Sequence, residues 1–475
     1  MGATAMARDG ANEAGLAVAE LIRRARAAMD DFADADQARV DEAVTALAWS
    51  IYEPGRAREL AELAVKDTGM GNVRDKITKN QRKTFGTLRD LMRVKTVGII
   101  EEDQARGLVK YAKPVGVVAA ICPSTNPAAT PVNKAMMSLK GRNAVVIAPS
   151  PAGAEATLAT VNHMRAELER IGLPPDLVQC LPLPVSKELT QALMEAADLI
   201  ACTGSQDNVR RAYRSGTPAI GVGAGNVPVI VDASADLDEA ARKICASKTF
   251  DNGTSCSSEN SVVILDAIYE PALVALQRAG GWRASAAEKQ RIESLLWIGG
   301  KLNRKVIARD ADAVARVFGL PEAAEQCRFF MVEDEGIGPA YPFSSEKLSL
   351  VMTVYRARDF DHAADLVRRI LDHQGRGHSC GIHTKDMNHA RRLAETLDVV
   401  RVLVNQAHTF GNGGSFDNGL NFTLSMGCGT WAKNSISENL NWRHFINVTH
   451  LSTTIPEDKP SEEDLFGAYW SRYGR

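Results

Sequence analysis

Between residues 115 and 265 short apolar runs alternate with helical stretches. VGVVAAI is followed by a helix near 130–139, AVVIAP by one near 154–170, LVQCLP by one near 187–197, and LIACTG closes the series. Runs this short and this apolar read as strands buried on both faces, and a helix between each pair is the crossover that parallel strands require. The region is expected to be a doubly wound, dinucleotide-type α/β unit. A second alternating region, from about 261 to 425, predicts a separate lobe whose sheet faces the first. PVIVDA and SVVILD flank Cys256, which then lies between the two.

Ahead of this region three amphipathic helices are expected. Residues 36–53 put Val40, Val44, Leu47 and Ile51 on one stripe, 56–67 carry Leu60 and Leu63, and 80–93 carry Phe85, Leu88, Leu91 and Met92. From residue 97 two β-rich runs flank the polar EEDQARG and predict a hairpin arm. WRHFINVTHLS is a late strand by the same reading, and IPEDKPSEED a surface segment.

A chain of 475 residues exceeds one ordinary core, since domains run to ~100–200 residues. Its formal net charge of −2 gives no global field for nucleic acid or an anionic membrane. No apolar run approaches a membrane span. The first residues lack the apolar core of a signal peptide, Asp9 and Glu13 argue against a transit peptide, and Met6 stands where myristoylation needs Ser or Thr. A cytoplasmic protein is expected. The eight cysteines are scattered, with no close pair to make half of a zinc site, and the nine histidines show no metal spacing, so no metal is assigned.

Four segments could carry chemistry. In FDNGTSCSSENSVVIL, Cys256 sits among small polar residues just before a strand, a poor burial place for a structural thiol and a good one for a nucleophile needing exposure and backbone N–H groups. In ICPSTNPAATP a strand ends in a turn carrying Ser124, Thr125 and Asn126, read either as a helix start capped by Asn126 or Thr130 or as an amide donor at the sheet edge. In ACTGSQDNVRRAY, Thr203, Gly204 and Ser205 open a helix, as an ordinary cap or as N–H groups facing a pyrophosphate. GVGAGNVPVIV has Gly221, Gly223 and Gly225 without a GxGxxG fingerprint, which alone reads as a turn.

PSTNP, CTGS, GVGAGN, FDNGTSC and PFSSEKLS occur in the order and separations of the aldehyde dehydrogenase superfamily. FDNGTSC, EKLS and SMGCGTWAKNSISEN most resemble its coenzyme A-acylating branch, which includes the aldehyde domain of bifunctional aldehyde–alcohol dehydrogenases. The resemblance covers nearly the whole chain. It implies a Rossmann-type nucleotide-binding domain at 1–235 with a β arm at about 97–113, an α/β catalytic lobe at 236–430, and a C-terminal return and oligomerisation segment at 431–475, assembled as a homodimer or homotetramer. It implies Cys256 as the nucleophile, Asn126 and the Cys256 N–H as oxyanion donors, and Ser124, Thr203, Gly204, Ser205, Gly223 and Glu346 along NAD or NADP. Read without the resemblance, Glu346 beside Lys347 is a solvated surface pair.

Hydrolytic relatives carry a water-activating glutamate in the segment matching GVGAGNVPV, where this chain has only Gly221, Val222, Gly223 and Ala224. Coenzyme A, whose thiol supplies thiolate unaided, is then the expected acyl acceptor. Glu259 is a substitute base, a cap or a solvent-facing group. Where many relatives have an adenosine-ribose lysine this chain has Ser150, which leaves NAD and NADP both open. His378 resembles a histidine near the active site of the acylating branch, with a packing role as the alternative. PSTNPAATP and NWRHFINVT resemble the branch acting on sulfoacetaldehyde, with acetaldehyde and succinic semialdehyde as alternatives, and an acyl-phosphate reductase on the same fold as another. An anionic aldehyde needs a cationic pocket, for which Arg401, His408, Arg443 and His444 are the candidates.

Overall fold

The computed structural model describes the backbone of residues 2–475 and side chains from Glu13 onward, so Met6 and Asp9 lie outside the described side chains. Four helices come first: α1 (Gly2–Phe32), α2 (Gln37–Tyr52), α3 (Pro54–Thr68) and α4 (Val73–Met92). The α2 stripe Val40, Val44, Leu47 and Ile51 is buried as its spacing predicts, and Asp36 caps the helix by accepting from the Arg39 N–H. Val18, Ile22, Ala25 and Phe32 bring α1, which the periodicity reading passed over, into the same core.

α4 departs from the expectation for 80–93. It begins at Val73, capped by Asn72, and it buries Lys76, Lys79, Asn80, Thr84 and Thr87, while Phe85 and Met92 of the expected stripe are 51% and 38% exposed. Apolar periodicity finds the face that packs on a core. The inward face of α4 lines a cleft and is polar.

The strands β1 (Gly98–Asp103) and β2 (Leu108–Pro114) form the expected antiparallel hairpin. Then β3 (Val117–Ile121), β4 (Ala144–Ala148), β5 (Val178–Cys180), β6 (Leu199–Cys202) and β7 (Ala219–Gly221) build a parallel sheet in the order β5-β4-β3-β6-β7. The helices between them are α5 (Ala129–Lys140), α6 (Ala154–Arg170), α7 (Lys187–Ala196) and α8 (Gln206–Arg214). The strand order reverses between β3 and β6, so the loops leaving these two strands open into one crevice, the place where such sheets take ligands. PSTNP and TGS are those loops.

The change of sheet comes next, at 222–226. β8 (Val227–Val231) pairs in parallel with β9 (Glu259–Leu265) and so belongs to the second sheet, ahead of the boundary at 235 drawn from the sequence. α9 (Leu237–Thr249) leads towards Cys256. With β10 (Gly281–Arg283), a small hairpin of β11 (Trp297–Ile298) and β12 (Lys301–Leu302), then β13 (Phe329–Glu333), β14 (Val351–Ala357), β15 (Gly377–His383) and β16 (Val399–Val404), the chain completes a seven-stranded sheet ordered β10-β13-β14-β9-β8-β15-β16, the hairpin standing apart. Leu440 and Phe445 then return to the first core, and β17 (Ile446–Ser452) adds to β2 along its whole length. IPEDKPSEED is exposed throughout, and a C-terminal helix, Glu462–Tyr473, begins within it unforeseen. No described helix is long and apolar enough to cross a membrane.

Candidate active site

The approach to Cys256 is a strained turn held by buried charge. After α9, Asp251, Asn252 and Gly253 take φ values of 50°, 56° and 71°. Left-handed backbone costs an L-residue roughly 1–2 kcal/mol, least where Asp or Asn can hydrogen-bond locally. The Asp251 carboxylate is buried and accepts from Lys79 Nζ at 2.5 Å, Lys76 Nζ at 3.1 Å, Thr254 Oγ1 at 2.8 Å and the Asn72 N–H at 3.0 Å. Its own N–H donates to Asp75 Oδ2 at 2.8 Å, and Asn252 Nδ2 donates to Asp310 Oδ1 at 2.8 Å. Burial alone would raise the Asp251 carboxyl, yet Lys79 and Lys76 hold it below the ordinary carboxylate value. The FDNG sequence is therefore a backbone requirement with its own counter-ions.

Lys79 also fixes Asn126. Its Nζ donates to Asn126 Oδ1 at 2.8 Å, which turns the amide NH₂ end away from Lys79, where it makes one long bond of 3.4 Å to Thr125 Oγ1. Neither Asn126 nor Thr130 caps α5, whose N-cap is Ala128 without a side-chain bond. Asn126 and Ser255 line one pocket, so the loop after β3 and the cysteine turn meet.

Cys256 meets two further segments. A Cβ built on Gly225 would lie 2.4 Å from the Cys256 carbonyl oxygen, 2.6 Å from Cys256 Cβ and 2.8 Å from Glu346 Oε1. GVGAGN, FDNGTSC and PFSSEKLS thus converge, and only a glycine permits the approach. Lys347 turns inward to donate to the Phe343 and Ser345 carbonyls, so Glu346 and Lys347 are no solvated pair. Burial lifts the Glu346 carboxyl to about 8 against the opposing pull of Lys347 and Lys248. Burial, and then the Glu346 carboxylate, push the Cys256 thiol up to about 12.

Thr203 Oγ1 lies 2.5 Å from Ser425 Oγ, and Ser205 caps α8 by accepting from the Asn208 N–H at 3.3 Å. Beside Gly204 the nearest heavy atom to a built Cβ is 4.0 Å away, so that edge is open, whereas Gly223 is packed against Cys428. Ser124 is half-buried on the loop after β3. Among the described residues no side chain hydrogen-bonds the Glu346 carboxylate. A carboxylate without a partner beside Cys256 and an open glycine edge at a helix start fit a ribose diol and a pyrophosphate, and so a nicotinamide dinucleotide.

Several expectations are corrected. Glu259 is not solvent-facing: it is fully buried, its carboxylate accepts from the His408 N–H at the start of a short helix, His408–Gly411, at 3.1 Å, and burial lifts it to about 7. Arg401 is buried and donates to Asn439 Oδ1 and to the His378 and Gly427 carbonyls. The His408 ring bonds the Ser257 carbonyl. Arg443 and His444 stand just before β17. None of these four lines the pocket that holds Asn126 and Ser255. His378 is buried against Ser379 and held neutral by burial and by Arg401. The groups the sequence reading missed, Lys76, Lys79, Arg82 and Lys83, share one face of α4. Their i, i+3, i+6, i+7 spacing was the available signal.

Comparison with known proteins agrees with this geometry. The sequence profile of the aldehyde dehydrogenase family matches residues 7–282. The chain is 54% identical over 466 residues to a sulfoacetaldehyde dehydrogenase (acylating) of Cupriavidus necator, covering 98% of this chain and 94% of that one. It is 37% identical to a succinate-semialdehyde dehydrogenase (acetylating) of Clostridium kluyveri, over 95% of this chain and 99% of that one. The crystal structure of an acetylating aldehyde dehydrogenase from Geobacillus thermoglucosidasius superposes with a TM-score of 0.91 at 34% identity, covering 96% of this chain and 100% of the other. With these matches spanning nearly its whole length, and its cysteine, asparagine and glutamate loops meeting at one cleft, the chain belongs to the aldehyde dehydrogenase family.

Proposed function

We propose that the protein oxidises sulfoacetaldehyde with NAD or NADP and passes the acyl group to coenzyme A, giving sulfoacetyl-CoA. The substrate follows the relative at 54% identity, which bears that activity in its name.

Cys256, once its thiol proton has passed to solvent, adds to the aldehyde carbon and forms a thiohemiacetal whose oxyanion is received by the Asn126 amide and the Cys256 N–H. Removing one such donor costs about 3–4 kcal/mol in hydrolases that work the same way. When bound, the nicotinamide supplies the acceptor for the hydride that leaves this carbon, and a thioester on Cys256 results. Glu346 would hold the ribose, with Thr203, Gly204 and Ser205 along the phosphates and Ser124 and Gly223 at the edges of the same groove. Lys79 keeps the Asn126 amide turned towards the oxyanion.

The observation that carries the acylating reading is the contact of Gly225 with Cys256. The backbone of GVGAGN lies against the nucleophile and carries no carboxylate at 221–224. Glu259, the nearest acid in sequence, lies inside the core with one oxygen accepting from the His408 N–H. Water at the thioester has no positioned base, whereas the thiol of coenzyme A brings its own ionisable proton. Free cysteines throughout the chain fit a reducing, cytoplasmic setting. The exposed sheet β1-β2-β17 supports a homodimer or homotetramer, which light scattering at micromolar concentration tests.

The test is reduction of NAD or NADP with sulfoacetaldehyde, acetaldehyde and succinic semialdehyde, each with and without coenzyme A. Turnover that needs coenzyme A, yields the acyl thioester and disappears in Cys256→Ala supports the reading. Equal turnover to free acid without coenzyme A overturns it, and dependence on phosphate in its place would make the protein an acyl-phosphate reductase.

A further inference from the structure

The pocket that holds Asn126 and Ser255 is lined on its other side by Lys79, Arg82 and Lys83, with Phe250 and Phe410 closing it. The three cations stand at i, i+3 and i+4 of one helix and so point the same way. Lys79 is paired, sharing the Asp251 carboxylate with Lys76. Among the described residues neither Arg82 nor Lys83 forms an ion pair. Lys83 donates to the Gly413 carbonyl at 2.8 Å, and Arg82 donates from Nη2 to Ser415 Oγ at 2.9 Å. The buried Arg82 Nε has no partner. Its guanidinium is packed among the rings of Phe410, Phe416 and Phe422, with centroids 5.6, 5.2 and 5.6 Å away, which fixes the fork in place. Asp417 is the acid that acts on Arg82 electrostatically, yet its carboxylate is engaged by Ser415 Oγ.

Two uncompensated cations in a half-buried aromatic pocket are costly, and a bound anion removes that cost. Burial, with Arg82 and Lys79 beside it, depresses the Lys83 ammonium to about 7, as expected of a cation whose counter-ion is still to come. The spacing states the length of the missing anion. Arg82 is three residues along α4 from Lys79, whose ammonium touches Asn126, and three residues of helix rise ~4.5 Å. The pocket thus offers a donor for an aldehyde oxygen at one end and a cationic fork about one helical turn away.

We propose that Arg82 and Lys83 form the head-group subsite of the aldehyde pocket, binding the anionic terminus, a sulfonate, of a two-carbon aldehyde and selecting it over neutral aldehydes of similar size. The inference rests on the acylating reading for its reaction, while the anion site itself can be measured without turnover.

Two experiments on the full-length protein separate the claims. Isothermal titration with ethanesulfonate, in which a methyl replaces the aldehyde group, is expected to show saturable one-to-one binding that Arg82→Gln weakens about ten- to a hundredfold, the loss of a charge-assisted fork. Arg82→Lys, which keeps the charge and loses the fork, should fall between, and it serves if the glutamine variant does not fold. In turnover, the ratio of kcat/KM for sulfoacetaldehyde over propionaldehyde should drop by a similar factor in Arg82→Gln and by less in Lys83→Met, chiefly through KM. Equal losses on the charged and neutral aldehydes would mean a structural role and overturn the proposal, as would ethanesulfonate affinity unchanged by both Arg82 substitutions. Ethanesulfonate binding that depends on Arg82, in a protein that oxidises none of the aldehydes, would uphold the anion site and sink the function proposed for it.

Discussion

Gly225→Ala tests how tightly the active site is built. The Gly225 φ lies outside the left-handed region, so alanine can adopt its backbone and the effect of the substitution is the added methyl alone. That methyl would stand 2.4 Å from the Cys256 oxygen and 2.6 Å from Cys256 Cβ, whereas carbon contacts are comfortable at about 3.5–4.0 Å. Two of its nearest atoms belong to the nucleophile residue itself and neither is the tip of a flexible chain, so Cys256 must move by about 1 Å. A shift of that size costs on the order of 10²-fold in rate, and overpacking removes about 1–3 kcal/mol of stability. Gly204→Ala is the comparison, since its methyl would meet nothing nearer than Asn208 Nδ2 at 4.0 Å. The assay is kcat and KM for the dinucleotide at saturating sulfoacetaldehyde and coenzyme A, with the melting temperature recorded for each variant. Gly225→Ala should lose kcat and Gly204→Ala should raise the dinucleotide KM. A Gly225→Ala kcat within about threefold of the wild type would refute the argument.

Asp251→Asn leaves Lys76 and Lys79 buried without their carboxylate; breaking such a pair costs about 3–5 kcal/mol, so the melting temperature should fall by several degrees and Cys256 should lose its reactivity together with it. Lys79→Met keeps Asp251 paired with Lys76 but frees the Asn126 amide, and kcat should fall towards the ~10²-fold expected for a misdirected oxyanion donor while KM for the dinucleotide holds. The Glu346 carboxyl is raised to about 8, so its share of stability is present in acid and is lost as pH rises through that value; Glu346→Gln should therefore gain in melting temperature over the wild type from pH 5 to pH 9, and no gain would show that the carboxylate is compensated. Lys83 runs the other way: its pKa is depressed to about 7, so stability falls as pH drops towards 7, and Lys83→Met should stabilise the unliganded protein more at pH 6 than at pH 10.

The architecture was legible because its signals are repetitive. Four buried runs separated by helix-length segments leave little besides a parallel sheet, and the two loops at the reversal of strand order follow from it. The position of Cys256, the proposed nucleophile, was legible too, since a small polar turn before a strand has few structural uses for a cysteine and the turn meets the Gly225 and Glu346 segments. What holds that turn was not. Asp251 and its lysines are more than 170 residues apart, and the helix that supplies them was read by its apolar stripe, of which Leu91 is buried while Phe85 and Met92 are exposed, and not by its lysines. The four groups proposed from sequence for an anionic substrate were chosen as charged residues late in the chain. The fold buries Arg401 and His408 away from that pocket, Arg401 on Asn439 and two backbone carbonyls and His408 on the Ser257 carbonyl, whereas Arg82 and Lys83, which form no ion pair among the described residues, line it from α4.

That helix links recognition to chemistry. Lys76 and Lys79 hold the aspartate that shapes the nucleophile turn, Lys79 reaches the oxyanion amide, and Arg82 and Lys83 follow within the next turn. Because an α-helix is stiff, the distance from cationic fork to oxyanion donor is set by the backbone and not by loop closure. An anionic aldehyde one carbon longer would have to bend, or lift its carbonyl away from Asn126, to keep its head group on Arg82, and it would lose in kcat what a flexible pocket would let it keep. Substrates can therefore be told apart by where their loss appears: a neutral aldehyde of the right length should be weak in KM and sound in kcat, whereas succinic semialdehyde should bind and turn over slowly. The reverse assignment would mean that the pocket adapts to its ligand and that α4 does not set the gauge.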